Sequence, residues 1–172
     1  MSELLKEGEK APDFTLPCNA GEAAGDVEPT FTLGDLRGKN VILAFYPADW
    51  SAVCGDQLAL YNELLPTFAN YNAELFGISV DSEFSHKAFR QDRNYKMTLL
   101  SDFEPKGEVA KEYGVYRDED GFTERALFVI DKDGVIRYSY ISPMDVNPGA
   151  DKILETLKEI QGKEKAEDKA DD

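Results

Sequence analysis

Two apolar runs of strand length, separated by a segment of helix length, mark the first half of the chain. The runs are "NVILAFYP" (residues 40–47) and "ELFGISVD" (residues 74–81), as expected of strands covered on both faces. Between them, apolar side chains recur near helical spacing at Val53, Leu58, Tyr61 and Leu65. Pro66 is expected to bend or end this helix. The pattern predicts a βαβ unit, with a parallel strand pair and a right-handed crossover.

Shorter helical and strand patterns alternate through the second half. A helix is predicted from Ser82, then a short strand over "MTLLSD" and a short helix that Gly114 stops. The clearest hairpin is "RALFVIDKDGVIRYSYI", with its turn at residues 131–134. An amphipathic helix over "PGADKILETLKEI" closes the pattern. Near the start, residues 11–36 predict two short strands around a Gly-rich loop.

This order of elements predicts the fold class. We expect an α/β protein of thioredoxin-like layout, with an N-terminal β extension and a central mixed sheet flanked by helices. At 172 residues the chain is long enough for one domain with its own core, which we assign to residues 1–160. Residues 161–172 are charged and almost free of apolar groups, so we expect a solvated, disordered tail. A frayed helix end is the alternative for this segment.

The balance of charge narrows the classes of partner. Acidic residues outnumber basic ones by 34 to 19, for a formal net charge of −15. We therefore expect neither nucleic acid nor an anionic membrane surface as a partner, because both are also negative. No apolar run approaches the roughly 20 residues of a membrane-spanning helix. The opening "MSELLKEGEK" lacks the basic start and apolar stretch of a secretory signal, so we expect a cytoplasmic protein.

Cysteine and histidine are scarce, which limits the chemistry. The two cysteines, Cys18 and Cys54, are too few for a disulfide scaffold, and the sequence contains no Cys-x-x-Cys or His-Glu-x-x-His spacing. With His86 as the single histidine, a zinc site would depend heavily on carboxylates. We therefore expect no metal and no cofactor, and chemistry carried by cysteine, carboxylates, arginine or hydroxyls.

Cys54 lies where the strand of residues 40–47 gives way to the predicted helix. A helix N-terminus offers unpaired N–H donors and the positive end of the helix dipole, and both stabilise a thiolate. The position alone is equally compatible with a small buried residue, because free cysteine is among the most buried residue types.

The neighbours of Cys54 favour a reactive thiol. Pro47, Ser51 and Cys54 form a Pro-x-x-x-Ser-x-x-Cys pattern. Pro47 ends the strand and can shield a thiolate from water, and the Ser51 hydroxyl can both accept and donate a hydrogen bond. This pattern after "FYP" resembles the signature of the peroxiredoxins, the AhpC/TSA superfamily. The resemblance covers roughly residues 10–160 through "APDFTL", "LRGKNVILAFYP", "GISVDSEFSHKAF", "LLSDFEPKGEVAKEYGV" and "RALFVIDKDGVIRY".

The resemblance implies further members of the site. In that family an arginine distant in sequence completes the site, and its match is Arg125, for which a surface charge at a strand start is the alternative. Gln57 matches a Glu or Gln that helps to hold such an arginine, with an exposed helix residue as the alternative. Ser51 stands where threonine is more common. Trp50 stands where phenylalanine or tyrosine is common, and we expect it to pack around the pocket rather than to act chemically.

The activity implied by the resemblance is nucleophilic displacement on hydrogen peroxide or an organic hydroperoxide. The Cys54 thiolate attacks the terminal oxygen, becomes sulfenic acid and releases water or an alcohol. Donors from Arg125, Ser51 and the backbone N–H of Cys54 would stabilise the charge that grows on the oxygens. An external thiol then reduces Cys54, and thioredoxin, glutaredoxin and low-molecular-weight thiols all fit that step. The resemblance also implies a homodimer.

The number of cysteines decides the expected subtype. Residues 55–172 contain no cysteine, and Cys18 matches no resolving position, so the chain most resembles the one-cysteine AhpE-like peroxiredoxins, notably through "VCGDQ" and "LLSDFEPKG". We interpret Cys18 as structural, with a resolving thiol as the alternative, which would need Cα atoms within about 7 Å. His86 lies in a helical stretch away from the cysteine, and a thiolate that is already deprotonated needs no general base.

Two other functions use the same cysteine. A thioredoxin-fold disulfide reductase is disfavoured by the missing Cys-x-x-Cys. A thiol-based redox sensor or holdase without significant turnover stays open as the alternative. The rate at which peroxide oxidises Cys54 separates a peroxidase from both.

Overall fold

The computed structural model describes residues 3–19 and 29–170. The strands in chain order are β1 Thr15–Asn19, β2 Thr30–Thr32, β3 Asn40–Phe45, β4 Ala73–Ser79, β5 Thr98–Ser101, β6 Tyr116–Arg117, β7 Phe122–Thr123, β8 Arg125–Ile130 and β9 Ile136–Ser142. The helices are α1 Ala52–Ala69, α2 Glu83–Arg93, α3 Glu108–Glu112 and α4 Asp151–Ala170, with a 3₁₀ turn over Leu33–Leu36.

A seven-stranded mixed sheet lies at the centre of the fold. Its strand order is β2-β1-β5-β4-β3-β8-β9. β3, β4 and β5 are parallel neighbours, whereas β8 is antiparallel to β3 and both edges continue antiparallel. β6 and β7 form a separate two-stranded hairpin. The predicted α/β class, with a mixed central sheet and an N-terminal β extension, is confirmed.

β3 is buried along its whole length because both faces of the sheet are covered. Side chains that alternate along this strand enter two different core clusters, Val41, Leu43 and Phe45 on one side and Ile42 and Ala44 on the other. Buried residues of α1, α2 and α4 join the second cluster, and those of α3 join the first. The parallel pairing of β3 with β4 through α1 confirms the predicted βαβ unit.

Most of the other predicted elements are also present. Ser82 caps α2, its Oγ accepting a hydrogen bond from the backbone N–H of Ser85. α3 ends before Gly114, and β8 and β9 form the predicted hairpin. β1 and β2 pair antiparallel, with Thr15 opposite Thr32. The Gly-rich loop predicted between these two strands falls mainly on residues 20–28, outside the described residues.

Helix α1 continues beyond the residue that was expected to limit it. Pro66 lies inside the helix, which ends at Ala69. Pro66 removes one backbone donor from the helix, but the last turn buries Phe68 completely. Of the two effects expected of Pro66, ending the helix is therefore wrong, and bending it stays a prediction.

Helix α4 crosses the boundary that was predicted at residue 160. It runs to Ala170, so a disordered tail is the wrong description of residues 161–170. Lysine, glutamate and alanine are strong helix formers, and an ion pair between Lys132 and Glu164 (Nζ to Oε1, 3.7 Å) ties the extension to the β8–β9 turn. Among the described residues, no helix is both long and apolar enough to cross a membrane.

Replacing Gly162 with alanine tests whether this extension is helical in solution. Gly162 lies inside α4, and nothing lies within 4 Å of an added Cβ. We expect Gly162→Ala to raise the free energy of unfolding by about 0.5–1 kcal/mol, measured by urea denaturation. Gly38→Ala is the matched control, because Gly38 also has open space but a φ of +100°, so alanine there should be destabilising. A neutral Gly162→Ala would contradict a stable helix in this segment.

Candidate active site

Cys54 lies in the first turn of α1, directly beyond the loop that follows β3. Its side chain is fully buried. Ser51 is the N-cap of the helix, with an extended backbone, and its Oγ accepts a hydrogen bond of 3.4 Å from the backbone N–H of Cys54. The sulfur therefore lies at the positive end of the helix, an environment suited to a thiolate.

Arg125 reaches the same point from the neighbouring strand. Because β8 runs antiparallel to β3, the first residue of β8 lies beside the end of β3. The Arg125 Nη1 donates to the Cys54 Sγ at 3.4 Å and to the Gln57 Oε1 at 2.8 Å. Its Nε and Nη2 donate to the Met144 carbonyl oxygen at 3.2 and 2.8 Å. Both edges of the guanidinium are therefore held in place.

The hydrogen bonds of this guanidinium include no carboxylate. Arg125 is only 2% exposed, and its partners within the described chain are a sulfur, an amide oxygen and a backbone carbonyl oxygen. Arginine stays protonated in proteins, and a buried charge is costly unless it is paired. The Cys54 sulfur is the one hydrogen-bond partner that can carry a negative charge, so the geometry suits an ion pair between a guanidinium and a thiolate.

A short chain of hydrogen bonds orients Gln57. This side chain is fully buried, and its Nε2 donates to the Tyr61 hydroxyl at 3.1 Å. The Tyr61 hydroxyl donates in turn to the Gly149 carbonyl oxygen at 2.9 Å. Burial raises the pKa of Tyr61 to about 12, so the phenol stays protonated and remains a donor. The amide oxygen of Gln57 is thereby left to face Arg125.

Pro47 and Trp50 lie in the loop between β3 and α1, at different depths. Pro47 is buried, whereas Trp50 is 48% exposed. The Trp50 ring packs on Phe89 (centroids 5.0 Å apart), and the Arg93 guanidinium lies 5.9 Å from its centroid. The Trp50 backbone adopts a left-handed φ of +70°, which costs on the order of 1–2 kcal/mol for a residue with a Cβ. The Trp50 ring therefore packs on two residues of helix α2, Phe89 and Arg93.

A buried polar cluster lies behind this loop. The His86 Nδ1 is 2.8 Å from the Asp49 Oδ2, which also accepts a hydrogen bond from the Ser85 hydroxyl at 2.8 Å. The Tyr46 hydroxyl donates to the Asp49 Oδ1 at 2.7 Å, and the Asp49 N–H donates to the Asp81 Oδ2 at 2.8 Å. His86 has no hydrogen bond to Cys54 among those of the described residues.

The same cluster contains the donor types that a metal ion would need. Ligand atoms of Asp49, Asp81 and His86 lie within 4.8 Å of one another, the one group of this kind in the described part of the chain. Protein donors already occupy these carboxylates, and the second nitrogen of His86 contacts the Leu100 carbonyl oxygen at 3.0 Å. The arrangement therefore fits a hydrogen-bond network better than a cation site.

Cys18 is buried in β1, away from Cys54. Both thiols are free, and they belong to different core clusters. β1 is separated from β3 by β5 and β4, so the strands leading to the two thiols are about three spacings of ~4.8 Å apart. Burial raises the pKa of the Cys18 thiol, with a smaller opposing effect of Arg90. This arrangement does not fit a disulfide, which needs Cα atoms within about 7 Å.

The structure therefore brings together Cys54, Ser51, Arg125 and Gln57, and it adds partners that the sequence did not indicate. Met144 and Gly149 contribute backbone carbonyl oxygens, which any residue type could supply. Tyr61 had a signal, since it lies four residues after Gln57 and so on the same face of α1. Asp49 had a signal as well, as an acidic residue in the loop that follows a buried strand.

Comparisons with known proteins find one protein family over most of the chain. A profile of the AhpC/TSA family matches residues 8–139. The chain is 37% identical over 165 residues to the chloroplastic 2-cysteine peroxiredoxin of Chattonella marina var. antiqua, spanning 91% of this chain and 81% of that protein. It is 34% identical over 161 residues to peroxiredoxin-1 of Gallus gallus, spanning 90% and 78%. The reduced 2-Cys peroxiredoxin of Plasmodium vivax has a TM-score of 0.82 and 30% identity, with 92% and 83% covered.

These matches decide some of the predictions and leave others open. The thioredoxin-like fold and the enzyme class, a thiol peroxidase, are confirmed. The one-cysteine AhpE-like subtype stays a prediction, because the relatives are largely 2-Cys peroxiredoxins. The family profile and the relatives together show that the chain belongs to the AhpC/TSA family of peroxiredoxins.

Proposed function

We propose that this peroxiredoxin reduces hydrogen peroxide and organic hydroperoxides through Cys54, in a one-cysteine cycle. The observation that carries the proposal is the buried Arg125 guanidinium, 3.4 Å from the Cys54 sulfur and without a carboxylate among its hydrogen-bond partners in the described structure. A charge held there before substrate arrives costs no reorganisation during the reaction. The positive charge of Arg125 can stabilise the negative charge of the thiolate first and that of the leaving oxygen afterwards.

The oxidation step transfers one oxygen atom. The Cys54 thiolate attacks the terminal oxygen of the peroxide, an S–O bond forms and the O–O bond breaks. The sulfur loses two electrons and becomes sulfenic acid, while the second oxygen leaves as hydroxide or alkoxide and takes a proton from water. Negative charge therefore moves from the sulfur to the leaving oxygen. Fixed donors along that path lower the barrier.

Each neighbouring residue has a distinct part in this step. Because the Ser51 Oγ accepts from the Cys54 N–H, its own O–H is free to donate to a peroxide oxygen. Arg125 presents its N–H donors in a fixed plane, held by Gln57 and the Met144 carbonyl. Pro47, buried in the loop, keeps water from the sulfur. Trp50 packs on α2 and supports the loop without touching the reaction.

The recovery step uses a thiol from outside the chain. The sulfenic acid condenses with that thiol to give a mixed disulfide and water, and a second thiol then releases Cys54 and leaves as part of a disulfide. Two features support this cycle over an internal disulfide. Residues 55–172 contain no cysteine, and Cys18 lies in a different core cluster from Cys54. Thioredoxin, glutaredoxin and low-molecular-weight thiols all have the required chemistry.

We also propose a homodimer in the cytoplasm as the working form. The dimer rests on the resemblance to the family. The cytoplasmic setting is supported by two free thiols in the chain, which a reducing compartment preserves. Sedimentation of the reduced protein tests the dimer, since a monomer at micromolar concentration would contradict it.

Replacing each of the two cysteines in turn tests which thiol reacts with peroxide. We expect Cys54→Ser to abolish the rapid consumption of peroxide, because the serine hydroxyl is not ionised at neutral pH. Cys18→Ala is the matched control and should keep the wild-type rate, since Cys18 lies outside the site. Stopped-flow measurement of peroxide loss gives the rate, and mass spectrometry gives the product. A single oxygen on Cys54 or a mixed disulfide there supports the cycle, whereas a Cys18–Cys54 disulfide would overturn it.

A charge-conserving change tests the geometry of the arginine. We expect Arg125→Lys to lower the second-order rate constant for Cys54 oxidation by about 10²–10³-fold, because lysine keeps the charge but loses the planar set of donors. Gln57→Ala should give a smaller loss by freeing one edge of the guanidinium. Arg137→Lys is the control, since it makes the same change at an ion pair with Asp131, outside the site. An unchanged rate in Arg125→Lys would refute the assigned role.

A further inference from the structure

The loop of residues 46–51 connects β3 to α1 and carries three of the predicted site residues. Its fixed point is Asp49, which is 7% exposed and hydrogen-bonded on both its side chain and its backbone. The Asp49 carboxylate receives the Tyr46 and Ser85 hydroxyls at 2.7 and 2.8 Å, and its N–H donates to the Asp81 Oδ2 at 2.8 Å. Contacts from the first residue of the loop, from the segment after β4 and from helix α2 therefore converge on Asp49.

Both ring nitrogens of His86 have an oxygen within hydrogen-bond distance. Its Nδ1 is 2.8 Å from the Asp49 Oδ2 and its Nε2 is 3.0 Å from the Leu100 carbonyl oxygen. A neutral imidazole has one N–H donor, so a carboxylate at Nδ1 and a carbonyl oxygen at Nε2 are satisfied together only by an imidazolium. Two hydroxyls donate to Asp49, so its side chain is placed as the hydrogen-bond acceptor of this cluster and as the counter-charge to His86.

The other titratable groups that face His86 are compatible with this ion pair. The Tyr46 hydroxyl lies 3.4 Å from Nδ1. Burial, together with Asp49, raises the pKa of Tyr46 well above its usual range, so the phenol stays neutral and a donor. Asp81 lies in the same cluster and already receives the Ser79 hydroxyl at 2.6 Å. The buried charge of His86 is therefore balanced within the cluster itself.

The ion pair lies next to the most constrained part of the loop. Asp49 directly precedes Trp50, whose left-handed φ of +70° persists only where the surroundings enforce it. Ser51 follows and forms the N-cap of α1, three residues before Cys54. A shift of Asp49 would therefore move the cap hydroxyl and the sulfur relative to Arg125, which is held separately by β8.

We propose that His86, as an imidazolium paired with Asp49, is a positioning residue for the 46–51 loop. By fixing this loop, it holds Ser51 and Cys54 in position relative to Arg125. His86 does not touch the reacting atoms and acts only through Asp49. The kinetic part of this proposal rests on the proposed function, whereas the protonation state and the shape of the loop do not.

The first test measures the protonation state of His86 directly. His86 is the one histidine of the chain and Trp50 the one tryptophan, so their signals need no assignment by mutation. Nitrogen NMR of the histidine-labelled wild-type protein at neutral pH should show a proton on both ring nitrogens. A neutral ring, with one nitrogen unprotonated, would overturn the proposal whatever the activity of the protein.

Variants of the pair supply the second test. We expect His86→Gln and Asp49→Asn each to shift the fluorescence of Trp50 and to slow Cys54 oxidation by peroxide by about 10- to 100-fold. Alkylation of Cys54 by iodoacetamide should change far less, because alkylation makes no use of donors aligned on an O–O bond. Lys87→Gln is the matched control, since it removes a positive charge from an exposed position one residue along α2.

The outcomes separate positioning from simple stability. Wild-type oxidation rates in both folded variants, or equal losses of oxidation and alkylation, would contradict a positioning role. If either variant fails to fold, the NMR measurement on the wild-type protein still decides the protonation state. Slow oxidation of the wild-type protein by peroxide would instead count against the proposed function, and the Trp50 signal would still report on the loop.

Discussion

The rest of the site depends on one positive charge buried where β3 and β8 lie side by side. Arg125 has almost no access to water, and its hydrogen bonds in the described structure go to a sulfur and to neutral oxygens. Such a charge is tolerable only if the neighbouring elements hold their partners in place. Helix α1 supplies Cys54 and Gln57, and the segment after β9 supplies the Met144 carbonyl. The requirement to satisfy one guanidinium thus orders several elements at once.

The sequence predicts the parts of this arrangement that depend on local patterning. Apolar runs and helical spacing identify the βαβ unit, and the same pattern places Cys54 at the start of α1. Arg125 is different, because periodicity does not reveal that β8 lies next to β3. Its assignment required the resemblance to a family. The Met144 and Gly149 carbonyls had no signal at all, since every residue carries that group.

Two errors in the sequence interpretation have a common physical origin. A helix end at Pro66 and a disordered tail were both inferred from residue type alone, which ignores what a segment contacts. In α1, burial of Phe68 outweighs one lost hydrogen bond. In residues 161–170, strong helix formers continue α4, and an ion pair links Glu164 to Lys132. Classifying a segment by one residue or by its charge therefore missed helix propensity in one case and a buried aromatic side chain in the other.

The loop before Cys54 illustrates why a catalytic thiol needs support from polar groups as well as from a helix. A cap and a helix dipole fix where α1 begins, but they do not fix the six residues that approach it. Apolar contacts could hold a side chain of that loop in place without fixing the conformation of its backbone. Asp49 specifies both, because its carboxylate and its N–H each have their own partners. Buried hydrogen-bonded charges are costly to form, yet they tolerate few alternative geometries, which is what a loop carrying a strained Trp50 requires.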